Sequence, residues 1–148
     1  MNSSQPPLVI NLSAAAAEPD RMEWASHSSL GRQGARVLSL FKCEHSGQHV
    51  ALVSCAPGAA AAAHVHVGHE SFLVLSGRFD DDHGSYGPGD LVVYRPGSRH
   101  AWRSPEGALI YVVWGAPPTP PHVASDGTDE DSLPIHLRKI AYDFQHLV

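Results

Sequence analysis

Four side chains stand at spacings that suit a bound metal ion. His64 and His66 lie two residues apart, so on a β-strand both imidazoles project from the same face. Gly68 marks a bend, and Glu70 then opens the next apolar run. On an antiparallel neighbouring strand, we expect the Glu70 carboxylate to point back at the two rings. Two imidazoles and a carboxylate supply three of the roughly four or five donors that a divalent ion needs.

A second glycine- and proline-rich segment offers a fourth donor. Residues 89–100 read as a turn, a strand, a tight turn at Pro96-Gly97 and then His100, which begins another strand. A His-x-His pair alone is more often structural or solvated than a pair of ligands. Here a carboxylate follows at a suitable spacing, and a second glycine-rich segment supplies another histidine. Together with the His-x-His pair, these residues indicate a metal site.

Strand alternation suggests what surrounds this site. Phe72 shares the face of Glu70, and Trp102 shares the face of His100. These rings are expected either to wall a cavity for a small, fairly apolar ligand or simply to fill the core. His69 lies beside the site on a bend, where it is a candidate acid, base or alternative ligand if it is not a surface residue. Seven further histidines have no partnered spacing and receive no role: His27, His45, His49, His83, His122, His136 and His146.

The segments that carry and surround these residues have the pattern of short β-strands. Apolar runs at residues 36–43, 49–55, 71–75, 91–94 and 109–114 carry Val, Leu, Phe and Tyr. Turn signals separate them, including residues 46–47, 56–58, 80–84, 87–89 and 105–107. Without long helical patterns between the runs, this pattern predicts an all-β sandwich or barrel.

The segments on either side of the predicted barrel, residues 36–115, differ from it. Residues 1–35 form an arm with a candidate edge strand at 8–12 and a short alanine-rich helix that Pro19 stops. Residues 116–131 read as a proline-rich and acidic linker. Residues 132–148 carry a helical apolar stripe behind a possible N-cap at Ser132, which predicts a helix packed on the barrel or on a dimer partner.

Composition excludes several classes of protein. The chain has 148 residues, enough for one domain, and its formal net charge of −5 is the wrong sign for nucleic-acid binding. No apolar run approaches the ~20 residues of a membrane span. Two cysteines cannot build a disulfide framework. Because the first residues lack a basic signal-peptide region, we expect a cytoplasmic protein.

The two segments that carry the candidate metal ligands resemble the motifs of the cupin superfamily. Its first motif is matched at each defined position from Gly58 to Gly77, and its second at Gly89, Gly97 and His100. Arg95 and Ser104 depart from the second motif, where proline and asparagine are usual. The resemblance implies a small antiparallel double-stranded β-helix, the cupin or jelly-roll barrel. It also implies that the metal ligands are His64, His66, Glu70 and His100.

The linker between the motifs, residues 70–89, is most similar to ChrR-type cupins. That family includes the metal-binding half of zinc-dependent anti-sigma factors, and free-standing dioxygenases that cleave small diketones or aryl ketones. Only about 35 residues precede the barrel and none before Cys43 is a cysteine, so we expect no sigma-binding half here.

Two functions therefore stay open. The first is a dioxygenase or related metalloenzyme, in which one divalent ion (Fe, Zn, Mn or Ni) carries the chemistry on a small organic molecule. The second is a non-catalytic zinc-binding sensor or regulatory domain with a closed coordination shell. In either case we expect a homodimer, because family members commonly pair their barrels edge to edge and exposed strand edges need protection.

Overall fold

A computed structural model describes residues 5–119 of the chain, which form a curled, entirely antiparallel sheet. The strand order is β6-β5-β8-β3-β9-β4-β7, with β2 paired to β3 and β1 to β2. This arrangement confirms the predicted all-β fold. The strands are β1 (Ala25–Ser26), β2 (Gln33–Lys42), β3 (His49–Val65), β4 (Glu70–Gly77), β5 (Phe79–Asp81), β6 (Ser85–Tyr86), β7 (Leu91–Tyr94), β8 (Arg99–Ser104) and β9 (Ala108–Trp114).

Strand β3 pairs with three other strands of the sheet. Its first seven residues pair with β9, five of its last seven pair with β8, and β2 runs along it as a further partner. The turn predicted at residues 56–58 is wrong, because β3 continues through it. The strand bends there instead, at the point where it leaves one partner for the other, and Gly58 adopts a φ of +83° that favours glycine.

Aromatic side chains fill the inside of the curled sheet. Phe79 lies between Phe72 and Trp102, with ring centroids 4.9 Å and 5.0 Å away. Burial alternates along β4 and β8 as predicted, so Phe72 follows Glu70 inward and Trp102 follows His100. Because these buried rings pack against one another, the interior excludes water around the polar residues that share their faces.

The N-terminal arm covers the outer face of the sheet. Helix α1 (Leu12–Ala17) begins after Asn11, whose side chain accepts a hydrogen bond from the Ala14 N–H at 2.9 Å, and ends before Pro19. Ala15 packs on the outward side chains of Leu52 and Leu109. The edge strand predicted over residues 8–12 is wrong, because Asn11 caps a helix that already includes Leu12. The edge strand of this arm is β1 instead.

The predicted helix at residues 132–148 lies outside the described residues, as does most of the predicted linker at 116–131. Between residues 5 and 119, no helix is long and apolar enough to cross a membrane.

Candidate metal centre

Three histidines converge inside the sheet. His64 lies near the end of β3, His66 follows just beyond it, and His100 on β8 is the direct ladder partner of His64. Each side chain is almost completely buried, with 1–2% of the residue surface exposed. One nitrogen from each ring lies within 4.8 Å of the other two. The structure therefore brings together all three histidines that the sequence motifs single out.

A β-bulge aims these rings inward. Up to Ala61, the residues of β3 that reach the inner core are odd-numbered. Ala61 pairs with Trp102 but His64 pairs with His100, so β3 carries one residue more than β8 across this interval. The extra residue changes the phase of the alternation, and the even-numbered His64 and His66 then face inward. Without the bulge, both imidazoles would lie on the outer face.

Hydrogen bonds set the protonation of two of the rings. Nδ1 of His64 lies 3.0 Å from the carbonyl oxygen of Ala62, and Nδ1 of His100 lies 3.1 Å from Oδ2 of Asp81. A carbonyl and a carboxylate can only accept, so each Nδ1 carries the proton and donates it. The Nε2 atoms of both rings consequently bear lone pairs.

The third ring, His66, is held in the same state by a hydroxyl group. Its Nδ1 lies 2.9 Å from Oγ of Ser98, and that hydroxyl donates its own proton to the Arg95 carbonyl at 2.6 Å. The hydroxyl is left to accept from His66, so Nδ1 again carries the proton and Nε2 bears the lone pair.

The arrangement of these nitrogens fits a cation. The Nε2 atoms of His64 and His100 are 3.1 Å apart, a distance at which two lone pairs repel unless a positive charge lies between them. Nε2 of His66 is buried and makes no hydrogen bond within residues 5–119. Burial lowers the pKa of His64 to about 4 and that of His66 to about 3, which keeps both rings neutral and able to bind a metal at neutral pH.

Glu70 lies beside the three-histidine group without belonging to it, and it is the candidate fourth donor. Its two carboxylate oxygens lie 3.5 Å from Nε2 of His66 and 3.8 Å from Nε2 of His100. Burial raises the pKa of this carboxyl to about 7, against smaller opposing effects of the Trp114 indole and Arg32. The expectation that Glu70 lies on the direct neighbour of β3 is wrong, because β9 runs between β3 and β4. The curl of the sheet brings the carboxylate to the rings instead.

Asp81 is a further residue of the candidate site, and the sequence motifs did not indicate it. Its carboxylate accepts hydrogen bonds from Nδ1 of His100, from the hydroxyls of Tyr94 and Tyr86, and from the backbone N–H of His83. Burial alone would raise its pKa, but these hydrogen bonds hold the pKa below the ordinary value. The residue lies in a segment, 80–84, that was predicted to be a turn. Its only signal was an aspartate within an acidic run just ahead of Gly84.

The remaining predicted residues lie near the centre but outside the cluster. Phe72 and Trp102 are 1% and 7% exposed and belong to the aromatic core, so a role in lining a ligand site stays a prediction. His69 is exposed, and its carbonyl oxygen accepts from the Gly115 N–H at 2.8 Å. It is absent from the group of converging nitrogens among the described residues.

Comparison with known proteins agrees with this geometry. Residues 12–117 match the family model of the ChrR cupin-like domain. The chain belongs to this family. Its ChrR cupin-like domain therefore spans the whole sheet together with α1, as well as the four candidate ligands. The search of curated proteins finds no match.

Solved structures share the fold of this ChrR cupin-like protein. A proposed acetylacetone dioxygenase from Methylibium petroleiphilum PM1 superposes with a TM-score of 0.67 at 21% identity, covering 86% of this chain and 88% of that one. An acetylacetone dioxygenase from Acinetobacter johnsonii gives 0.61 at 13% identity, over 77% and 76% of the two chains.

A further neighbour comes from the Rhodobacter sphaeroides complex of SigE with the anti-sigma ChrR. Its TM-score is 0.59 at 20% identity, and the match covers 76% of this chain and 61% of that one. At these identities the likeness establishes the fold, which is a cupin barrel.

Proposed function

We propose that this ChrR cupin-like protein binds one divalent ion through His64, His66, Glu70 and His100, and that it is a metal-dependent dioxygenase or a related metalloenzyme. The observation that carries the proposal is the 3.1 Å separation of two Nε2 atoms whose rings both hold their protons on the opposite nitrogen. Without an ion, the two lone pairs would face each other unless one ring took up a second proton, and burial disfavours that proton by lowering the pKa of both rings.

The donor set agrees with Fe, Mn, Ni or Zn, because imidazole and carboxylate suit all four. A bound ion of this type would polarise the oxygen atoms of a substrate and, for iron, would also support reaction with O2. The chain's own residues do the rest. Ala62, Ser98 and Asp81 hold the three Nδ1 protons in place, and the aromatic core keeps bulk water from the site.

The proposed substrate is a small diketone or aryl ketone. Two structural neighbours carry the name acetylacetone dioxygenase, one as a proposed activity. The rings of Phe72 and Trp102 lie on the faces that carry Glu70 and His100, where they would suit an apolar part of such a molecule.

The second candidate is a non-catalytic zinc-binding sensor or regulatory domain. The observation in its favour is the neighbour in the complex of SigE with the anti-sigma ChrR, in which a cupin is part of an assembly with a protein partner. Four protein donors can close a tetrahedral shell around zinc and leave no position for substrate.

One experiment separates the two functions. The protein is purified without chelators, its metal content is measured by mass spectrometry, and O2 uptake is followed after iron loading with acetylacetone or a phenolic aryl ketone. We expect one ion per chain and substrate-dependent O2 uptake. Tightly bound zinc with no O2 uptake on any such substrate would support the sensor and overturn the enzyme.

We also propose that the protein is a homodimer formed through a strand edge. Strand β7 lies at one end of the sheet, and it exposes 66% of Leu91 and 61% of Val93. An open edge with apolar side chains is a surface that a second copy can pair with. Light scattering at micromolar concentration should give about twice the chain mass of 15.8 kDa, and a monomer mass would contradict the proposal.

A further inference from the structure

A cavity of about 260 Å³ lies beside the metal centre, and we call it the Arg32 cavity. Its wall includes His27, Arg32, Lys42, His49 and Trp114. Trp114 is common to both regions. It lines the cavity, and its backbone pairs with that of His49 on one side and Glu70 on the other. No aspartate or glutamate is among the described residues that line it.

Arg32 places a permanent positive charge in this wall. Only 5% of the residue is exposed, and it follows a tight 3-10 turn at Ser29–Gly31 that sends the chain back toward the sheet. Its Nη1 donates to the carbonyl oxygen and to the hydroxyl of Ser29, both at 2.9 Å. No carboxylate within residues 5–119 forms an ion pair with it, although Glu70 lies near enough for each to influence the other's pKa.

Within residues 5–119, this guanidinium has donors without a partner and no ion-paired carboxylate. Nε and Nη2 of Arg32 have no hydrogen-bond partner in the described part of the chain, whereas guanidinium nitrogens normally bind carboxylate or phosphate oxygens in pairs. Burying a charge without a counter-ion is costly. Neither of these two guanidinium nitrogens is among the fully buried, unpartnered atoms of the described residues, so both are accessible to a negative group from outside residues 5–119.

One further nitrogen of the cavity wall has no partner. Nε2 of His27 is fully buried and makes no hydrogen bond within the described residues. Nε1 of Trp114 is equally buried, but its indole interacts with the Glu70 carboxylate. Burial, followed by the charge of Arg32, lowers the pKa of His27 to about 4, so this ring is neutral at pH 7. Lys42 adds a second cation at the exposed side of the cavity.

We propose that the Arg32 cavity binds the carboxylate of a small organic acid, with Arg32 as its counter-ion. If this acid is also the substrate of the neighbouring centre, that substrate would be a ketone or enol that carries a carboxylate. The part of this inference that names the substrate rests on the proposed function. The binding of a carboxylate in the cavity does not.

The test uses two probes of the same shape, benzoate and benzamide, of which only benzoate is charged. Each is titrated calorimetrically into the full-length protein, both as purified and after removal of metal. We expect benzoate to bind at least tenfold more tightly than benzamide in both forms. Equal binding, or no binding of either probe, would overturn the proposal, and this comparison needs no substitution.

Variants then locate the binding site. Arg32→Gln should abolish the preference for benzoate, and Arg32→Lys should retain part of it. Arg36→Gln is the matched control, because Arg36 is an exposed arginine of β2 whose guanidinium lies over the Trp24 ring. Circular dichroism confirms that each variant is folded. If Arg32→Gln keeps the preference, or Arg36→Gln loses it equally, the assignment to this cavity is wrong.

Two further outcomes are informative. Inorganic phosphate that binds as tightly as benzoate, and competes with it, would show a site for inorganic anions and overturn the assignment to an organic acid. Benzoate binding in a protein that takes up no metal would leave the cavity standing and refute the metal centre. Metal uptake without benzoate binding would refute the carboxylate site and support the metal centre.

Discussion

Oδ2 of Asp81 accepts a hydrogen bond from Nδ1 of His100 at 3.1 Å, and the opposite nitrogen of that ring faces Nε2 of His64. Of the acceptors that hold the three rings, Asp81 is the only carboxylate in the described chain, so it strengthens the basicity of its imidazole most. In the proposed metal centre, Asp81 is thus a positioning residue that acts through His100 without belonging to the donor set.

Replacing this carboxylate should weaken metal binding. In Asp81→Asn the side chain can turn its NH2 group toward His100 and favour the wrong tautomer, so we expect roughly 10- to 100-fold lower affinity for zinc. Competition with a chromophoric zinc chelator measures the change. Asp90→Asn is the control, because Asp90 is exposed, accepts from the Gly87 N–H at 2.8 Å and forms no hydrogen bond with a candidate ligand. Equal affinity in both variants would contradict the positioning role.

Replacing a candidate metal ligand should lower metal content more than replacing a nearby histidine outside the donor set. His66→Ala takes away a buried nitrogen that has no other partner in the described residues, so most bound metal should be lost. The melting temperature of metal-loaded protein should also fall, because a bound ion stabilises the native state by mass action. In His69→Ala, which alters an exposed ring three residues away, metal content measured by mass spectrometry should be unchanged. Unchanged metal in His66→Ala would refute the assigned ligand.

The aromatic core should dominate the stability of the barrel. Phe72 is 1% exposed and packs against Phe79, so Phe72→Ala should lower the free energy of unfolding by about 3–5 kcal/mol. Urea denaturation of metal-free protein measures this loss. Phe41→Ala removes a ring that is 47% exposed and should cost less than about 1 kcal/mol. Similar losses in the two variants would show that Phe72 does not anchor the core.

Acid should destabilise the metal-free protein partly through His27. Burial and the neighbouring Arg32 lower the pKa of this ring from 6.5 to about 4 in the folded state. Between those values the unfolded chain binds more protons than the folded one, so stability decreases as the pH falls from 6.5 toward 4.

The melting temperature of His27→Gln should therefore fall less over that range than that of the wild type. The exposed His45 of the β2–β3 turn provides the control, and His45→Gln should follow the wild type. Parallel curves for all three proteins would show that His27 is not the group responsible.

The histidines of the centre could be found from sequence because their signals are local. Alternation places His64 and His66 on one face whatever the strand pairs with, and the turn at Pro96-Gly97 marks the start of the strand that carries His100. Glu70 was assigned to the wrong neighbour, because the order β3-β9-β4 depends on a strand that lies much later in the chain.

Asp81 and Arg32 were missed for a different reason. The acidic run around Asp81 has the composition of a turn, yet β5 forms because it pairs with β8, where Asp81 lies opposite Trp102. Arg32 belongs to a poorly patterned arm, and only the folded chain shows that its guanidinium is buried beside the metal centre. Tertiary pairing overrides local propensity at both positions.

The alanine run at residues 59–63 contains one residue more than regular pairing with β8 requires. That surplus residue both reverses the alternation and releases the Ala62 carbonyl from the ladder to hold the His64 ring. The site thus depends on how many residues separate Gly58 from His64 rather than on which small side chains they carry. Exchanges of alanine for other small residues leave this spacing intact, whereas an insertion or deletion of one codon changes it. Related sequences should therefore differ in which small residues occupy this segment but keep the number of residues between Gly58 and His64.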